Sequence, residues 1–568
     1  MNRSRQTLLI VAAVLTTAAV FLAVSGGLRT TVGGLRISAR SPLPVAVLAL
    51  VAVAGWIGFA QRARALGSDL DDLFAVVSRR ALLLITVVAI MAALMAAAFA
   101  TRSVAGADAS GYVSEAAMLG RGTLVYVDDL ADLRRGFDAY LTSPLGWRPS
   151  SETEQVPTYP PGLPLLMAIP HAVAGVDGAS AVVVVSAALA VMSTGLIAVR
   201  LGGGLAGILA SVLLAFTPVF LHQAIQPMSD VPVTAAWTLC FLLLQRGGRS
   251  DTLAGIACAA AVLIRPNLAP LAMVPLWMAE RRVAFAGPVA VAGLGLAALQ
   301  QVSYGSPFRS GYGATDELFA LSNIVPNAGR YAGWMLATAP LTFVGLLGAF
   351  RLRRDARARG MLVFAALVIV AYLVYAVFDD WTYLRFLLPA SAMFAAFSAA
   401  EMVAWLDRVP AVFRLVAAFL AILGMAATGV ATARTRDAFK LADQLARVDQ
   451  VAAFVRSETP AAAVVVAGEQ SGSMRYATGR SIVRWEAATP ESFGASLSAL
   501  DRASRPVVIV LDAFEESLFR ARLSAVPAAA LDWPPAVDAG SSRRTRVWRV
   551  ADRERFLRGE RIDTLRIP

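Results

Sequence analysis

Apolar runs long enough to cross a bilayer recur along this chain from residue 8 to residue 430. A membrane-spanning helix needs about 20 predominantly apolar residues, and a soluble protein carries about 25% charged residues. Here 57% of the 568 residues are hydrophobic and only 16% are charged. The sequence therefore predicts a polytopic α-helical membrane protein with about thirteen transmembrane helices. The predicted spans lie near 8–24, 43–60, 81–100, 179–198, 205–220, 231–244, 252–264, 267–279, 285–300, 331–350, 361–378, 384–406 and 412–430.

Basic residues give these spans a direction. If the N-terminus, with Arg3 and Arg5, lies in the cytoplasm, most of the arginines in short loops fall on the inner side, as the positive-inside rule requires. The first run is then a retained helix; a cleaved signal peptide is the alternative and leaves the remaining topology unchanged. The net charge of +12 is explained by this topology and by anionic membrane lipids, so nucleic acid is not an expected partner. We expect a multi-pass protein of the cytoplasmic membrane.

Two large segments fall on the outer side of the membrane. One is the loop 101–178, whose proline-rich stretch 160–175 is typical of an interfacial segment and not of a span. The other is the tail, in which the β-branched runs AAAVVVAG and RPVVIVLD alternate with helical stretches such as 441–456. The sequence therefore predicts a transmembrane module, 1–431, and a small extracytoplasmic α/β domain, 432–568.

Ionisable side chains at the outer ends of the spans are the candidates for chemistry, because charge at membrane depth is costly. Asp108 follows the third span, where a helix cap and a catalytic role are equally compatible with its position. Asp230 precedes the sixth span, where a cap is the simpler role. Arg265 stands next to a proline between two short apolar runs, where a snorkelling role competes with anion binding. Further candidates on this side are Tyr112, Glu115, Tyr159, Tyr312, Asp379, Asp380, Tyr383 and Arg385.

Zinc and disulfide chemistry have little support in the sequence. The chain has two histidines, His171 and His222, and two cysteines, Cys240 and Cys258, which both stand inside apolar runs. A His/Cys zinc site and a disulfide are therefore not expected. No cofactor is expected, although a divalent cation held by carboxylates stays open.

Six motifs, in a fixed order along the chain, carry a resemblance to a known family. They are GADASGYVSEA, YPPGLPLL, QPMSDVP, LIRPN, YGSPFRSGYG and DDWTYLRFLLP. The set resembles bacterial members of the glycosyltransferase-C superfamily. These are family-39-like enzymes, related to protein O-mannosyltransferases and to the transferases that add aminoarabinose to lipid A. The resemblance covers most of the membrane part and leaves out the first two spans and the tail.

The resemblance implies an inverting transfer of a sugar from a polyprenyl-phosphate donor to an acceptor hydroxyl on the outer face. In such enzymes an acidic residue of the first outer loop is the general base, matched here by Asp108. Arginines stabilise the leaving prenyl phosphate, a role that we expect of Arg265 and Arg385. Family members often place a second acidic residue beside the base. Glu115 is the nearest one here but is not adjacent, so no metal site is assigned. The acceptor stays open between a glycan, a lipid and a protein.

Two other classes of function compete with a glycosyltransferase. One is a transporter or lipid flippase without catalytic activity, and the other is a silent binding or assembly subunit in which Asp108 only caps a helix. Transporters usually show internal repeats and polar residues midway through their helices. In this chain the apolar spans are clean and the polar residues cluster at their outer ends, so the transferase is the favoured interpretation.

Overall fold

Helices dominate the structure, and a six-stranded sheet forms the C-terminal part. The computed structural model describes residues 28–32, 35–39, 41, 43–58, 72, 75–313 and 318–568, together with residues 7, 8, 11, 12, 15, 16 and 19. Two short strands, β1 (Leu28–Val32) and β2 (Leu35–Ala39), pair antiparallel ahead of the first described long helix.

The membrane part is built from helices joined by short turns. Two stretches of 3₁₀ helix, Pro266–Ala272 and Trp381–Leu387, precede the helices that begin at Met273 and Leu388. The helices are α1 (Leu43–Gly58), α2 (Ala81–Phe99), α3 (Ala107–Leu119), α4 (Gly162–Ala215), α5 (Pro218–Ala224), α6 (Asp230–Leu244), α7 (Asp251–Ile264), α8 (Met273–Met278), α9 (Arg282–Tyr304), α10 (Ile324–Thr338), α11 (Val344–Leu352), α12 (Ala356–Leu373), α13 (Leu388–Leu406) and α14 (Ala411–Thr435).

The prediction of about thirteen spans is not confirmed. In the described part of the chain, six helices are long and apolar enough to cross a membrane, or seven if the bent pair Leu321–Thr338 and Pro340–Leu352 counts as one span. Two further apolar helices, Leu43–Trp56 and Asp230–Leu244, are shorter. The predicted span 8–24 lies largely outside the described residues. The six helices are Ala81–Phe99, Gly162–Ala215, Arg282–Tyr304, Ala356–Leu373, Trp381–Leu406 and Val416–Thr435.

Glycines and prolines explain why the helices differ from the predicted spans. Two predicted spans belong to the single helix α4, which is broken at Gly203, where φ is 82°. The helix α7 ends before Pro266, where the predicted span 252–264 ends, but the predicted span 267–279 is a 3₁₀ stretch followed by the short α8. The predicted span 331–350 is bent by 114° at Pro340, because proline has no N–H to donate to the preceding helical turn.

The proline-rich stretch of the loop 101–178, the predicted outer loop, forms the first turns of α4. The helix begins at Gly162 and breaks at Gly175, where φ is 58°, so this piece is too short to cross a bilayer. Leu166, Ile169 and Val173 on it are exposed. Such an apolar face is typical of a helix that lies in the membrane interface, and the interfacial position stays a prediction.

The outer loop and the C-terminal domain share one hydrophobic core. The loop contains an antiparallel sheet in the order β3 (Tyr126–Val127), β5 (Glu154–Pro157), β4 (Trp147–Pro149). Leu130 and Leu141 of this loop are buried among residues of the domain. The loop that carries Asp108 is therefore held against the C-terminal domain.

Strand and helix alternate in the C-terminal domain, as the tail sequence predicts. The predicted strands near 461–468 and 505–512 are β6 and β8, which run parallel to each other. The domain contains β6 (Val464–Ala467), β7 (Ser481–Arg484), β8 (Val507–Asp512), β9 (Val537–Ala539), β10 (Thr545–Arg549) and β11 (Leu565–Ile567), in the sheet order β11-β9-β10-β8-β6-β7. Its helices are α15 (Leu441–Glu458), α16 (Ser471–Thr478), α17 (Pro490–Arg502), α18 (Glu515–Arg522) and α19 (Val550–Leu557).

Gly162 is a point where two helices touch through their backbones. A Cβ at this position would lie 2.3 Å from Ile264 N and from the Leu263 carbonyl carbon. We expect Gly162→Ala to lower the free energy of unfolding by about 1–3 kcal/mol, because backbone cannot yield as a side chain can. Gly293→Ala is the matched control, since its Cβ would meet nothing within 4 Å. Thermal unfolding in detergent compares the two variants, and equal unfolding temperatures would contradict the close packing at Gly162.

Candidate active site

Asp108 lies in the first turn of α3, but it does not cap this helix. The N-cap is Gly106, and no side chain makes a capping hydrogen bond. Instead, Arg385 Nη2 donates to Asp108 Oδ2 at 2.8 Å, and the Tyr159 hydroxyl donates to Asp108 Oδ1 at 2.7 Å. The capping alternative is therefore wrong. The side chain is 32% exposed.

Glycines allow the segments that carry these side chains to meet. A Cβ on Gly111 of α3 would lie 2.2 Å from ring atoms of Tyr159. A Cβ on Gly311, in the loop after α9, would lie 1.9 Å from Thr158 O. This second contact brings Tyr312 edge-on to Tyr159, with 5.7 Å between the ring centres. The three motifs that contain these residues therefore form one surface.

Arg265 and Asp230 form a second, more deeply buried ion pair. The Asp230 side chain is fully buried, and Arg265 Nη2 donates to its Oδ1. Arg265 Nη1 also donates to the Tyr372 hydroxyl at 3.0 Å, and Nε to Ser229 Oγ at 3.3 Å. No side chain caps α6. Asp230 is therefore not a helix cap, and Arg265 does not snorkel to the surface.

Aromatic rings join the two ion pairs into one cluster. Phe386 lies between the guanidinium groups: its ring centre is 5.2 Å from Cζ of Arg265 and 5.1 Å from Cζ of Arg385. The Tyr112 hydroxyl donates to Ser229 Oγ at 3.0 Å, and the Tyr112 ring packs against that of Tyr159. After the side of the membrane that the sequence predicts for them, we call the following residues the outer cluster: Asp108, Tyr112, Tyr159, Ser229, Asp230, Arg265, Tyr372, Arg385 and Phe386.

The electrostatics of the outer cluster keep Asp108 ionised. Burial raises the pKa of this carboxyl, but the charge of Arg385 and the hydrogen bonds from Tyr159 and Arg385 outweigh it and hold the pKa below its ordinary value. Burial and the charge of Asp108 raise the pKa of Tyr159 far above its ordinary value, so its hydroxyl stays a donor. At neutral pH Asp108 is therefore a carboxylate that is able to accept a proton.

Arg385 keeps donor capacity that the protein does not use. Its Nε is buried and has no hydrogen-bond partner among the described residues. A buried donor without an acceptor costs free energy, and a bound anion would satisfy it. The Tyr383 ring lies next to this guanidinium, with 5.0 Å from the ring centre to Cζ, and stacks on Phe378 at 3.9 Å.

Three of the predicted site residues do not belong to the outer cluster. Asp379 pairs with Arg330 on the surface, and Asp380 accepts from Thr382 N at 2.8 Å at the start of a 3₁₀ turn. Glu115 is buried, and its Oε2 has no partner in the part of the chain that the structure describes. Burial raises the pKa of Glu115 well above its ordinary value.

The sequence reasoning did not identify several residues of the site. Asn267 Nδ2 donates to the Tyr372 hydroxyl at 3.1 Å, and the ring of Tyr372 stacks on Phe386. Asn267 and Phe386 are close in sequence to the two predicted arginines, which is a usable signal. Tyr372 stands inside an apolar run and gives no such signal. Among the described residues, no group of three or more His, Cys, Asp or Glu side chains could hold a metal ion.

Comparison with known proteins supports the fold. No family model and no curated protein matches this sequence. The structure of ArnT from Cupriavidus metallidurans bound to undecaprenyl phosphate is similar, with 12% identity, a TM-score of 0.51, and coverage of 82% of this chain and 97% of that chain. The oligosaccharyltransferase of Archaeoglobus fulgidus tethered to an acceptor peptide matches with 14% identity, a TM-score of 0.47, and coverage of 79% and 72%. The likeness to ArnT shows that the chain shares the fold of that protein.

Proposed function

We propose that this multi-pass membrane protein transfers a sugar from a polyprenyl-phosphate donor to an acceptor hydroxyl on the outer face of the cytoplasmic membrane. The observation that carries this proposal is an ionised, partly exposed Asp108 beside an arginine with an unused donor. The ArnT structure of the same fold contains undecaprenyl phosphate, which supports a donor of this class. The sugar and the acceptor are left open.

Asp108 is the general base in this proposal. Its carboxylate takes the proton of the acceptor hydroxyl while the oxygen attacks the anomeric carbon. The bond between that carbon and the phosphate oxygen breaks on the opposite face, so the configuration inverts and polyprenyl phosphate leaves with the electron pair. The hydrogen bonds from Tyr159 and Arg385 fix the position of the carboxylate, which lowers the cost of orienting it for attack.

The two arginines have different roles toward the leaving phosphate. Arg385 contacts it directly, because a guanidinium has five N–H donors and one bond to Asp108 leaves others free. Arg265 has each guanidinium nitrogen engaged by protein groups, so it acts through its fixed positive charge. Charge that is already in place where negative charge develops stabilises the transition state.

Binding of undecaprenyl phosphate tests the donor half of the proposal. We expect Arg385→Ala to weaken binding by about 10- to 100-fold, since hydrogen bonds to charged groups contribute about 1.5–3 kcal/mol. The matched control is Arg330→Ala, which removes an outer arginine that pairs with Asp379 outside the cluster. Titration of the purified proteins in detergent with undecaprenyl phosphate gives both affinities. Equal affinity of the Arg385 variant and the unmodified protein would refute the phosphate contact.

A further inference from the structure

The C-terminal domain touches α3 on both sides of the proposed base. The contact is made by residues 468–472 (GEQSG), which run from the end of β6 into the first turn of α16 and which we call the docking loop. Gly106 N donates to Gln470 Oε1 at 3.3 Å. A Cβ on Gly472 would lie 2.4 Å from Ser110 Oγ. The loop therefore lies against the turn of helix that carries the reacting carboxylate.

Hydrogen bonds within the domain hold the docking loop in place. Glu515 Oε1 accepts from Glu469 N at 3.0 Å and from Trp485 Nε1 at 3.1 Å. Its Oε2 accepts from Asp512 N at 2.9 Å. Because one buried carboxylate links the ends of β7 and β8, the strands on either side of β6, to the loop, the side chain of Glu469 projects from a fixed backbone.

Glu469 lies next to the outer cluster, and the structure shows no partner for its acidic side chain in the described part of the chain. Its Oε1 lies 3.5 Å from the position that a Cβ on Gly106 would take. Among the described residues its carboxylate has no hydrogen-bond or ion-pair partner. Burial raises its pKa, and the charges of Asp512, Glu486 and Asp108 raise it further. A half-buried carboxylate without a protein partner is free to accept hydrogen bonds from a ligand.

We propose that Glu469 forms the acceptor side of the site, where it accepts a hydrogen bond from a second hydroxyl of a polyhydroxylated acceptor. This rests on the proposed function, in which Asp108 deprotonates the neighbouring hydroxyl. The donor phosphate has its place at Arg385, and a second anionic group would be repelled by two carboxylates. Neutral sugar hydroxyls are donors that a carboxylate binds. The acceptor class is therefore a glycan, and the C-terminal domain contributes to its recognition.

Sugar transfer to small glycosides tests this inference. The full-length protein is given undecaprenyl-phosphate-linked hexoses and pentoses as donors and methyl glycosides as acceptor probes. We expect Glu469→Gln to raise the KM for the methyl glycoside about tenfold, the effect of losing one charged hydrogen bond, without weakening the binding of undecaprenyl phosphate. A smaller increase is expected for Glu469→Asp. The control is Glu491→Gln, an exposed acidic residue of the same domain.

The outcomes separate this inference from the function on which it rests. An unchanged KM in Glu469→Gln would overturn the role of Glu469 and leave the glycosyltransferase proposal standing. Weaker binding of undecaprenyl phosphate by the same factor would show a structural role and would also overturn it. Absence of transfer to every methyl glycoside by an unmodified protein that still binds undecaprenyl phosphate would overturn the glycan acceptor and leave the donor half of the proposed function standing. Absence of undecaprenyl phosphate binding by the unmodified protein would overturn the proposed function, and the inference with it.

Discussion

Replacing Asp108 by asparagine should lower the rate of sugar transfer by about 10²- to 10⁴-fold, the contribution typical of a general base. The amide has the shape of the carboxylate, and its oxygen still accepts a hydrogen bond from Tyr159 or Arg385. It cannot take the proton of the acceptor hydroxyl. The measurement is the initial rate of transfer from an undecaprenyl-phosphate-linked sugar by the purified protein in detergent.

Two observations show whether a lower rate in this variant comes from the loss of the general base, and not from misfolding or from weaker binding of the donor. Thermal unfolding should show a folded protein, and undecaprenyl phosphate should still bind, because the Nε and the charge of Arg385 remain. The matched control is Asp132→Asn, which changes an exposed aspartate of the same outer loop that pairs with Arg135. A folded Asp108→Asn protein that transfers sugar at the rate of this control would remove Asp108 from the chemistry.

The parts of the fold that depend on a local sequence pattern were predictable. Apolar runs predict helices because a bilayer-length helix must be apolar, and β-branched runs predict β6 and β8. The number of spans was not predictable in this way, because Pro340 bends the predicted span 331–350 without making the sequence less apolar. Strands β9 and β11 have three residues each, too few for an alternating pattern to be recognised.

The site was predictable as separate residues but not as pairs. Asp108 and Arg385 are 277 positions apart, and only the packing of α3 on the turn before α13 brings them together. Asp379 and Asp380 belong to the same motif as Arg385, but their side chains make a surface ion pair and a turn contact. A motif thus indicates where a site lies, and the direction of each side chain decides which residues belong to it.

The second large effect is expected at the buried pair of Arg265 and Asp230. Asp230→Ala leaves a guanidinium, only 10% exposed, without its counter-charge. We expect a loss of about 3–5 kcal/mol in the free energy of unfolding, the usual cost of an uncompensated buried charge. Thermal or denaturant unfolding of the purified variant measures this loss.

The exposed pair of Arg330 and Asp379 is the matched control for this loss. The Asp379 side chain is 86% exposed, so Asp379→Ala should cost about 0–1 kcal/mol. The double variant Asp230→Ala, Arg265→Leu removes both buried charges and should recover part of the stability that Asp230→Ala loses, since the penalty comes from the unpaired charge. Equal, small losses at the two pairs would show that Arg265 is hydrated and does not act as a fixed charge behind the donor phosphate.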